Sequence, residues 1–322
     1  MNLKNYKEEF EEFLLQQIPD KNPEKLYLPI KYILHNGGKR IRALMVILSA
    51  ESFGQSKKES FPAAAAIEIF HNFTLLHDDI MDHADIRRGH PTVHKKWDEN
   101  TAILSGDTML ILAYKMLEKY EAGKYKKLNT LLNKTAIEVC EGQQMDMDFE
   151  TANDVSAEDY LEMIRLKTAI LLGAALQFGG IISNAKEEDL INIYRFGENL
   201  GIAFQIQDDY LDSFGDEKNF GKKIGGDILD RKKTILYIDS LKHLDDKDKE
   251  KLKSLFASNR KDKGYINEVL QLYNKSGAPA RIKKLAENYT YKSLENLQNT
   301  NIPTKYKSFW KQFALELMGR SN

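Results

Sequence analysis

Two groups of aspartate residues have the spacing of a metal site built on helices. The two groups are Asp78, Asp79 and Asp82, and, 130 residues later, Asp208, Asp209 and Asp212. Residues four apart on an α-helix lie one turn, about 6 Å, apart along the axis, so the first and last aspartate of each group share a face. Apolar neighbours such as Leu76 and Ile206 indicate partial burial, where an uncompensated charge is strongly destabilising. Cations must therefore neutralise these carboxylates.

The ligand types of the two groups favour one class of metal. Carboxylate oxygens suit Mg²⁺, with Mn²⁺ as an alternative, and such ions complete their shells with waters and substrate phosphates. A carboxylate-bridged di-iron site would need two Glu-x-x-His motifs. Glu68 and His71 supply one, and we find no second motif near the later aspartate group. The residues therefore predict metal-assisted departure or transfer of a diphosphate, with two or three ions.

Basic residues close to both aspartate groups would bind such a diphosphate. The candidates are Lys39, Arg40 and Arg42 after a glycine pair, Arg87 and Arg88, Lys167 beside Thr168, and the pairs Lys222/Lys223 and Lys232/Lys233. A glycine pair lets backbone approach an anion at a helix N-terminus. Solvated surface charge is the alternative for each of these residues. Arg88 could instead have a structural role, in an ion pair with Asp85. His71 could likewise have a structural role, in the core beside its helix.

Composition limits the class of protein. The chain has 322 residues and a net charge of −1, which argues against a nucleic-acid binder. Cys140 is the single cysteine and the first residues are too charged for a signal peptide, so we expect a cytoplasmic protein. Residues 168–185 carry no charge, but glycines and polar side chains interrupt them, and we expect a buried helix rather than a membrane span.

Apolar residues recur with helical spacing along the whole chain, and we expect one all-α domain over residues 1–322, a helical bundle with a central substrate cavity. The predicted helices are 3–17, 39–53, 61–82, 92–104, 106–122, 125–150, 157–181, 186–215, 231–243, 246–257, 261–274, 278–297 and 303–318. No β-hairpin is indicated, because the one Asn-Gly pair lacks strand-like neighbours.

The order of these motifs resembles that of the trans-isoprenyl diphosphate synthases, the polyprenyl synthetase family. The similarity extends from Gly37 to Thr234 and rests on Gly-Gly-Lys-Arg-Ile-Arg, both Asp-Asp-x-x-Asp motifs, Arg-Arg-Gly and Phe-Gln-x-Gln. It implies an isoprenoid-synthase helical bundle. It also implies a Mg²⁺-dependent prenyltransferase of isoprenoid biosynthesis, a homodimer, which condenses isopentenyl diphosphate with an allylic diphosphate by ionisation, condensation and elimination.

The resemblance also implies a role for each matching residue. Asp78, Asp79, Asp82 and Asp208, and more weakly Asp209 and Asp212, would hold Mg²⁺ on the allylic diphosphate, which Arg87 would also bind. Lys39, Arg42, His71 and Arg88 would bind isopentenyl diphosphate. Lys167, Thr168, Gln205, Lys222 or Lys223, and Lys232 or Lys233 would line the allylic side. The Lys167 carbonyl and the Thr168 and Gln205 side chains would offer negative dipole ends to the allylic cation.

The residues before the first aspartate group would set product length. Phe73, Thr74 and Phe70 lie five, four and eight positions before Asp78, so a bulky side chain there would close a tunnel for the growing chain. The pattern resembles that of geranylgeranyl-type enzymes, which favours a C20 product over C15. The alternatives are a longer-chain polyprenyl synthase, a class I terpene cyclase and a non-catalytic partner subunit. Ordinary core packing is the alternative role for Phe73.

Overall fold

The computed structural model describes residues 3–152, 154–215, 224–258, 260 and 262–319. Its helices are α1 Leu3–Gln16, α2 Glu24–His35, α3 Ile41–Ser52, α4 Lys57–Met81, α5 Val93–Lys96, α6 Glu99–Leu117, α7 Ala122–Thr151, α8 Ala157–Ile164, α9 Ile170–Ile182, α10 Glu187–Phe214, α11 Gly226–Leu229, α12 Ile235–His243, α13 Asp246–Ala257, α14 Lys263–Ser276, α15 Ala278–Gln298 and α16 Thr304–Met318. A π-helical segment, Arg165–Ala169, joins α8 to α9. The all-α prediction is confirmed.

A two-stranded hairpin follows α4, contrary to the sequence-based expectation of none. Strand β1, Ile86–Arg87, pairs antiparallel with β2, His90–Pro91. The two turn residues, Arg88 and Gly89, both have positive φ, at 52° and 77°. Positive φ at both positions is typical of a type I′ turn, which matches the twist of the paired strands. Arginine is rare at the first position of such a turn, so the glycine was the one residue in the sequence that indicated a turn.

Helix boundaries differ from the prediction in several other places. The predicted helix 157–181 contains the π-helical segment, the predicted helix 231–243 begins at Ile235, and α11 was not predicted. Helix α2 was not predicted, because Pro29 lies inside it and proline removes a helical hydrogen bond. The predicted helices 92–104 and 106–122 are instead the short α5 and the longer α6. Asp98 begins α6 because its side chain accepts a hydrogen bond from the Thr101 backbone N–H, which satisfies one unpaired donor.

The chain forms two compact units. The first comprises Met1–Asn133 and Ala174–Leu190, and the second comprises Lys134–Gly173 and Ile191–Asn322. The expectation of a single domain over 1–322 is not tested by this division and stays a prediction.

In the first unit, α4 packs against α3 and α6. Four consecutive buried alanines, 63–66, make one part of α4 narrow. Near the other end, His77 lies against α6 at Gly106, where an added Cβ would come within 2.3 Å of the imidazole Nε2. The close contact with α6 fixes the direction of the helix that carries the first aspartate group.

In the second unit, an apolar core surrounds the π-helical segment and α12. Ala169, Ile206, Leu236 and Leu252 are all buried in it. Gly142 of α7 lies against the π-helical segment, and an added Cβ would come within 2.3 Å of the Lys167 backbone nitrogen. Glycine inside α7 therefore permits close backbone approach and leaves the helix unbroken.

One helical stretch, Ala157–Ile182, is long and apolar enough to cross a membrane. In its most apolar 18-residue window, 78% of residues are buried inside the protein. A core helix has this pattern, in agreement with the expectation of a buried helix.

Candidate active site

The end of α4 presents the first aspartate group at three degrees of exposure. Asp79 is buried, Asp78 is half-buried and Asp82 is exposed. Asp82 is the C-cap of α4, and its backbone N–H donates to the Asp78 carbonyl at 2.8 Å. The helical turn is therefore intact through Asp82, so the predicted one-turn spacing of Asp78 and Asp82 holds.

Asp79 forms an ion pair with Arg87. The Arg87 Nε donates to Asp79 Oδ1 at 2.7 Å, across the start of the hairpin. Burial is the main influence on Asp79 and raises the pKa of its carboxyl, although Arg87 opposes that shift. A second cation near this partly desolvated carboxylate would stabilise its charged form further. A metal ion could be that cation.

The hairpin places Arg88 against the glycine pair that precedes α3. The Arg88 guanidinium donates to the Gly37 carbonyl. The φ of Gly38 is 120°, which favours glycine, and an added Cβ would lie 2.9 Å from the Arg88 guanidinium and displace it. The alternative partner, Asp85, pairs with Lys95 at 3.0 Å. Arg88 therefore contacts the glycine loop and uses one of its donors there.

His71 and Arg42 meet beneath this loop. The Arg42 Nη1 lies 3.1 Å from the His71 Nε2. A guanidinium only donates, so Nε2 accepts and the imidazole proton is on Nδ1. Burial lowers the pKa of His71 well below its usual value, and Arg42, Arg88, Arg87 and Arg40 lower it further. His71 is therefore neutral around pH 7.

Positive charge is concentrated around this histidine. Burial and Arg88 lower the pKa of Arg42 to about 10, although Glu68 opposes the shift. The Arg42 Nε is buried and has no hydrogen-bond partner among the described residues. Lys39 is exposed at the mouth of the same loop. Desolvated guanidinium groups with an unused donor are suited to a multiply charged anion such as a phosphate ester.

Arg40 has a structural role, unlike Lys39 and Arg42 in the same motif. It is 4% exposed, has φ of 51°, and pairs with Glu68 at 2.9 Å and Glu11 at 3.0 Å. Asn72 donates to the same Glu68 oxygen at 3.1 Å. Arg40 is thus fixed inside the protein, and its two neighbours in the motif, Lys39 and Arg42, are the ones that can contact a ligand.

In the second unit, α10 carries the second aspartate group, in which Asp209 and Asp212 are buried. The Tyr160 hydroxyl donates to Asp209 Oδ2, and Gln205 Nε2 donates to Oδ1 at 3.1 Å. Burial, with Asp227 and Asp208, raises the pKa of Asp209 well above its usual value. Both oxygens of this carboxyl are therefore occupied by donors from the protein.

Asp212 anchors the segment that begins α11. Its Oδ2 accepts from the Asp227 backbone N–H at 2.9 Å, and its carbonyl accepts from the Gly225 N–H at 2.6 Å. Asp208 is the half-buried member of the group. The stronger metal role expected for Asp208, and the weaker roles expected for Asp209 and Asp212, stay predictions.

The π-helical segment carries Lys167 and Thr168. Lys167 Nζ lies 2.5 Å from Asp146 Oδ2 on α7. Thr168 Oγ1 donates to Gln205 Oε1 at 3.4 Å, so Gln205 connects the segment to Asp209. The structure thus brings together Lys167, Thr168 and Gln205, three residues predicted from the sequence to lie on the allylic side.

Adjacent lysines after α11 have different environments. Lys233 Nζ donates to the carbonyls of Phe149, Glu150 and Ala152, at 2.5–3.0 Å, and so caps the C-terminus of α7. Lys232 is exposed. This contrast favours Lys232 as the residue that contacts substrate. Lys222 and its neighbour Lys223 lie outside the described residues.

The three residues predicted to set product length lie along α4. Phe70 is buried, and Phe73 and Thr74 are half-buried. The Phe73 ring lies 5.7 Å from the Phe70 ring and 4.8 Å from the His77 ring, in tilted and edge-on arrangements. Thr74 donates to the His71 carbonyl at 2.8 Å. Phe73 is therefore packed on one side and accessible on the other.

Among the described residues, no three histidine, cysteine or acidic side chains converge on one point. The first group nevertheless fits Mg²⁺ in ligand type, since Asp78 and Asp82 are accessible carboxylates and Asp79 needs further compensation.

Two residues of the second unit that contact predicted site residues were not identified from the sequence. Tyr160 binds Asp209, and Asp146 binds Lys167. Each of these residues is distant in sequence from the residue that it binds, so no motif spacing indicated the contact. The one available signal was Gly142, four residues before Asp146, whose missing side chain marks the place where α7 approaches the π-helical segment.

Comparison with known proteins identifies the family of this chain. Residues 23–273 match the Polyprenyl synthetase family. The chain is 42% identical over 240 residues to the geranylgeranyl diphosphate synthase of Methanosarcina mazei, covering 74% of each chain. It is 35% identical over 297 residues to a short chain isoprenyl diphosphate synthase of Methanothermobacter thermautotrophicus, covering 92% of this chain and 91% of the relative. A crystal structure of a geranylgeranyl pyrophosphate synthase superposes with a TM-score of 0.95 at 47% identity, covering 100% of each chain. The chain belongs to the polyprenyl synthetase family of trans-prenyltransferases.

Proposed function

We propose that this protein condenses isopentenyl diphosphate with an allylic diphosphate to a short-chain all-trans prenyl diphosphate, with C20 as the favoured product. The observation that carries this proposal is the cationic pocket around neutral His71. Arg42 and Arg88 concentrate positive charge there, and the buried Arg42 Nε has no hydrogen-bond partner among the described residues. A diphosphate would bring negative charge to this pocket.

The residues of the first unit bind and orient one substrate. Arg42, Arg88 and Lys39 would bind the isopentenyl diphosphate group, and His71 would accept from Arg42 and keep that guanidinium in position. Arg87 would exchange its contact with Asp79 for the allylic diphosphate. In this role the neutral imidazole positions Arg42 and transfers no proton.

The metal ligands in this proposal are Asp78, Asp79, Asp82 and Asp208, with weaker contributions from Asp209 and Asp212. Two or three Mg²⁺ ions, with Mn²⁺ as a substitute, would neutralise the charge that develops on the departing diphosphate. Lys167 and Lys232 would add fixed positive charge on the allylic side. Thr168 and Gln205, linked by a hydrogen bond, would direct their oxygen dipoles at the allylic cation.

The test is a Mg²⁺-dependent assay with isopentenyl diphosphate and each allylic starter, dimethylallyl, geranyl and farnesyl diphosphate. We expect extension of each starter to a C20 diphosphate, abolished by a chelator and restored by Mg²⁺. Release of a hydrocarbon or alcohol would show a terpene cyclase instead. No turnover by the purified chain with Mg²⁺ present would show a non-catalytic subunit.

Phe73 is proposed to limit product length, since its ring is half-buried on the helix that leads to Asp78. Phe73→Ala should shift the main product from C20 to longer chains, because truncation opens the space beyond the growing end. Chromatography of the dephosphorylated products measures this shift. The matched control is Phe53→Ala, a half-buried phenylalanine at the end of α3. An unchanged distribution in Phe73→Ala would assign this ring to core packing alone.

A homodimer is proposed through α6. Leu104, Thr108 and Ile111 lie at helical spacing on this helix, and Leu104 and Ile111 are 59% and 68% exposed. Exposed apolar side chains in a row are typical of an association surface. Ile111→Lys should convert the dimer to a monomer in analytical ultracentrifugation, and a retained dimer would place the interface elsewhere. A cytoplasmic location is proposed from the single cysteine.

A further inference from the structure

A cavity of about 270 Å³ in the second unit has a lysine rim that the proposed reaction does not use. Lys242 comes from the end of α12, Lys249 and Lys253 come from one face of α13, and Lys233 lies two residues before α12. Asp154 is the one acidic residue in this lining. The cavity lining therefore carries a clear excess of positive charge.

Neighbouring acids do little to neutralise this rim. Lys249 has Asp246 at 3.9 Å, and Lys253 has Glu250 at 3.5 Å. Both acids are highly exposed, and exposed ion pairs at such distances contribute little. Lys249 and Lys253 are thus available to a stronger anionic partner.

Lys233 contributes fixed charge to the cavity. Its ammonium donates to three carbonyls at the end of α7, so its hydrogen bonds are in use. Burial lowers its pKa, although Glu150 opposes the shift. An anion nearby would be stabilised by this ammonium without needing a hydrogen bond from it.

The apolar side of the cavity contains a tyrosine. Tyr237 is 6% exposed, and its ring lies 4.2 Å from the Phe256 ring. Tyr237 lines the cavity, and a phenol hydroxyl can donate a hydrogen bond to an oxygen-rich ligand there. Val155 and Leu241 line the same side.

We propose that this cavity is a second anion site that binds a diphosphate group. Its volume lies just below the usual range of pockets for drug-sized ligands, about 300–1,000 Å³, so the ligand is small. Lysines on two helices, α12 and α13, match an anion with two phosphate groups better than one with a single phosphate. The source is either free inorganic diphosphate or the head of a prenyl diphosphate whose chain packs on Val155 and Leu241.

The test measures protection of individual lysines in the unmodified protein, with chelator present to suppress metal-dependent binding. An amine-reactive reagent is applied with and without inorganic diphosphate, and modification is quantified by mass spectrometry. We expect slower modification of Lys249 and Lys253 and an unchanged rate at Lys247, which lies on α13 outside the cavity lining. Equal rates at Lys249 and Lys253 with and without diphosphate would overturn the proposal.

A variant provides an independent measurement. By calorimetry under the same conditions, K249A/K253A should lose one bound diphosphate per chain or weaken that binding at least about tenfold, since two charge-assisted contacts are removed. The control K247A should bind as the wild type does. An identical isotherm for wild type and K249A/K253A would contradict the proposal, whatever the outcome of the prenyltransferase assay.

Geranyl diphosphate then distinguishes the two sources. Tighter protection by geranyl diphosphate than by inorganic diphosphate, lost in Leu241→Asn, identifies a prenyl diphosphate as the ligand. Equal protection by the two compounds identifies free diphosphate. Both outcomes support the site, and absence of protection by either compound excludes it.

Discussion

Asp78→Asn should lower kcat/KM for the condensation by about two orders of magnitude, ~3 kcal/mol of transition-state stabilisation, because a neutral amide replaces a charged oxygen ligand. The side chain is half-buried at the end of α4, and Asn preserves its volume, so the fold should be retained. The Mg²⁺ concentration that gives half-maximal activity should also rise.

The matched control is Asp85→Asn. Asp85 is a largely exposed aspartate seven residues further along, paired with Lys95, and has no proposed metal role. Its kcat/KM and Mg²⁺ dependence should equal those of the wild type. If Asp78→Asn behaved like Asp85→Asn in both measurements, Asp78 would not be a metal ligand.

Arg40→Ala should reduce the free energy of unfolding by about 3–5 kcal/mol, the usual effect of removing one partner from a buried ion pair. Glu68 would remain buried with its charge uncompensated, since its side chain is 3% exposed. The midpoint of urea-induced unfolding, followed by circular dichroism, measures the change.

Two further variants separate charge from packing. Lys58→Ala removes an exposed lysine from α4 and should change stability by no more than about 0.5 kcal/mol. The double variant R40M/E68M should recover part of the stability lost in Arg40→Ala, because apolar side chains of similar volume replace both charges. An Arg40→Ala midpoint equal to that of Lys58→Ala would show that the ion pair contributes nothing.

The sequence was sufficient for features that depend on local spacing. The helical placement of Asp78 and Asp82 follows from the turn of an α-helix, and the structure keeps that turn intact. The pairing of His71 with Arg42 joins two residues singled out from the sequence. The metal and substrate roles of these residues stay predictions.

Features that depend on tertiary contacts could not be predicted. Arg40 and Arg42 are two residues apart and look alike in the motif, yet Arg40 is paired with the buried Glu68 and Arg42 has an unused donor. Lys232 and Lys233 differ only because α7 ends beside one of them. Which neighbour faces a helix end is decided by packing, and periodicity carries no information about it.

The ion pair between Arg87 and Asp79 has a consequence for ligand discrimination. Because the guanidinium already has an internal carboxylate at 2.7 Å, an incoming anion must compete with that carboxylate. An anion without bound cations, such as sulfate, would leave Asp79 without a partner if it took Arg87. If the proposed roles hold, a metal-bound diphosphate would instead give Asp79 a replacement cation and release Arg87. We therefore expect sulfate to inhibit the wild type weakly and Asp79→Asn more strongly.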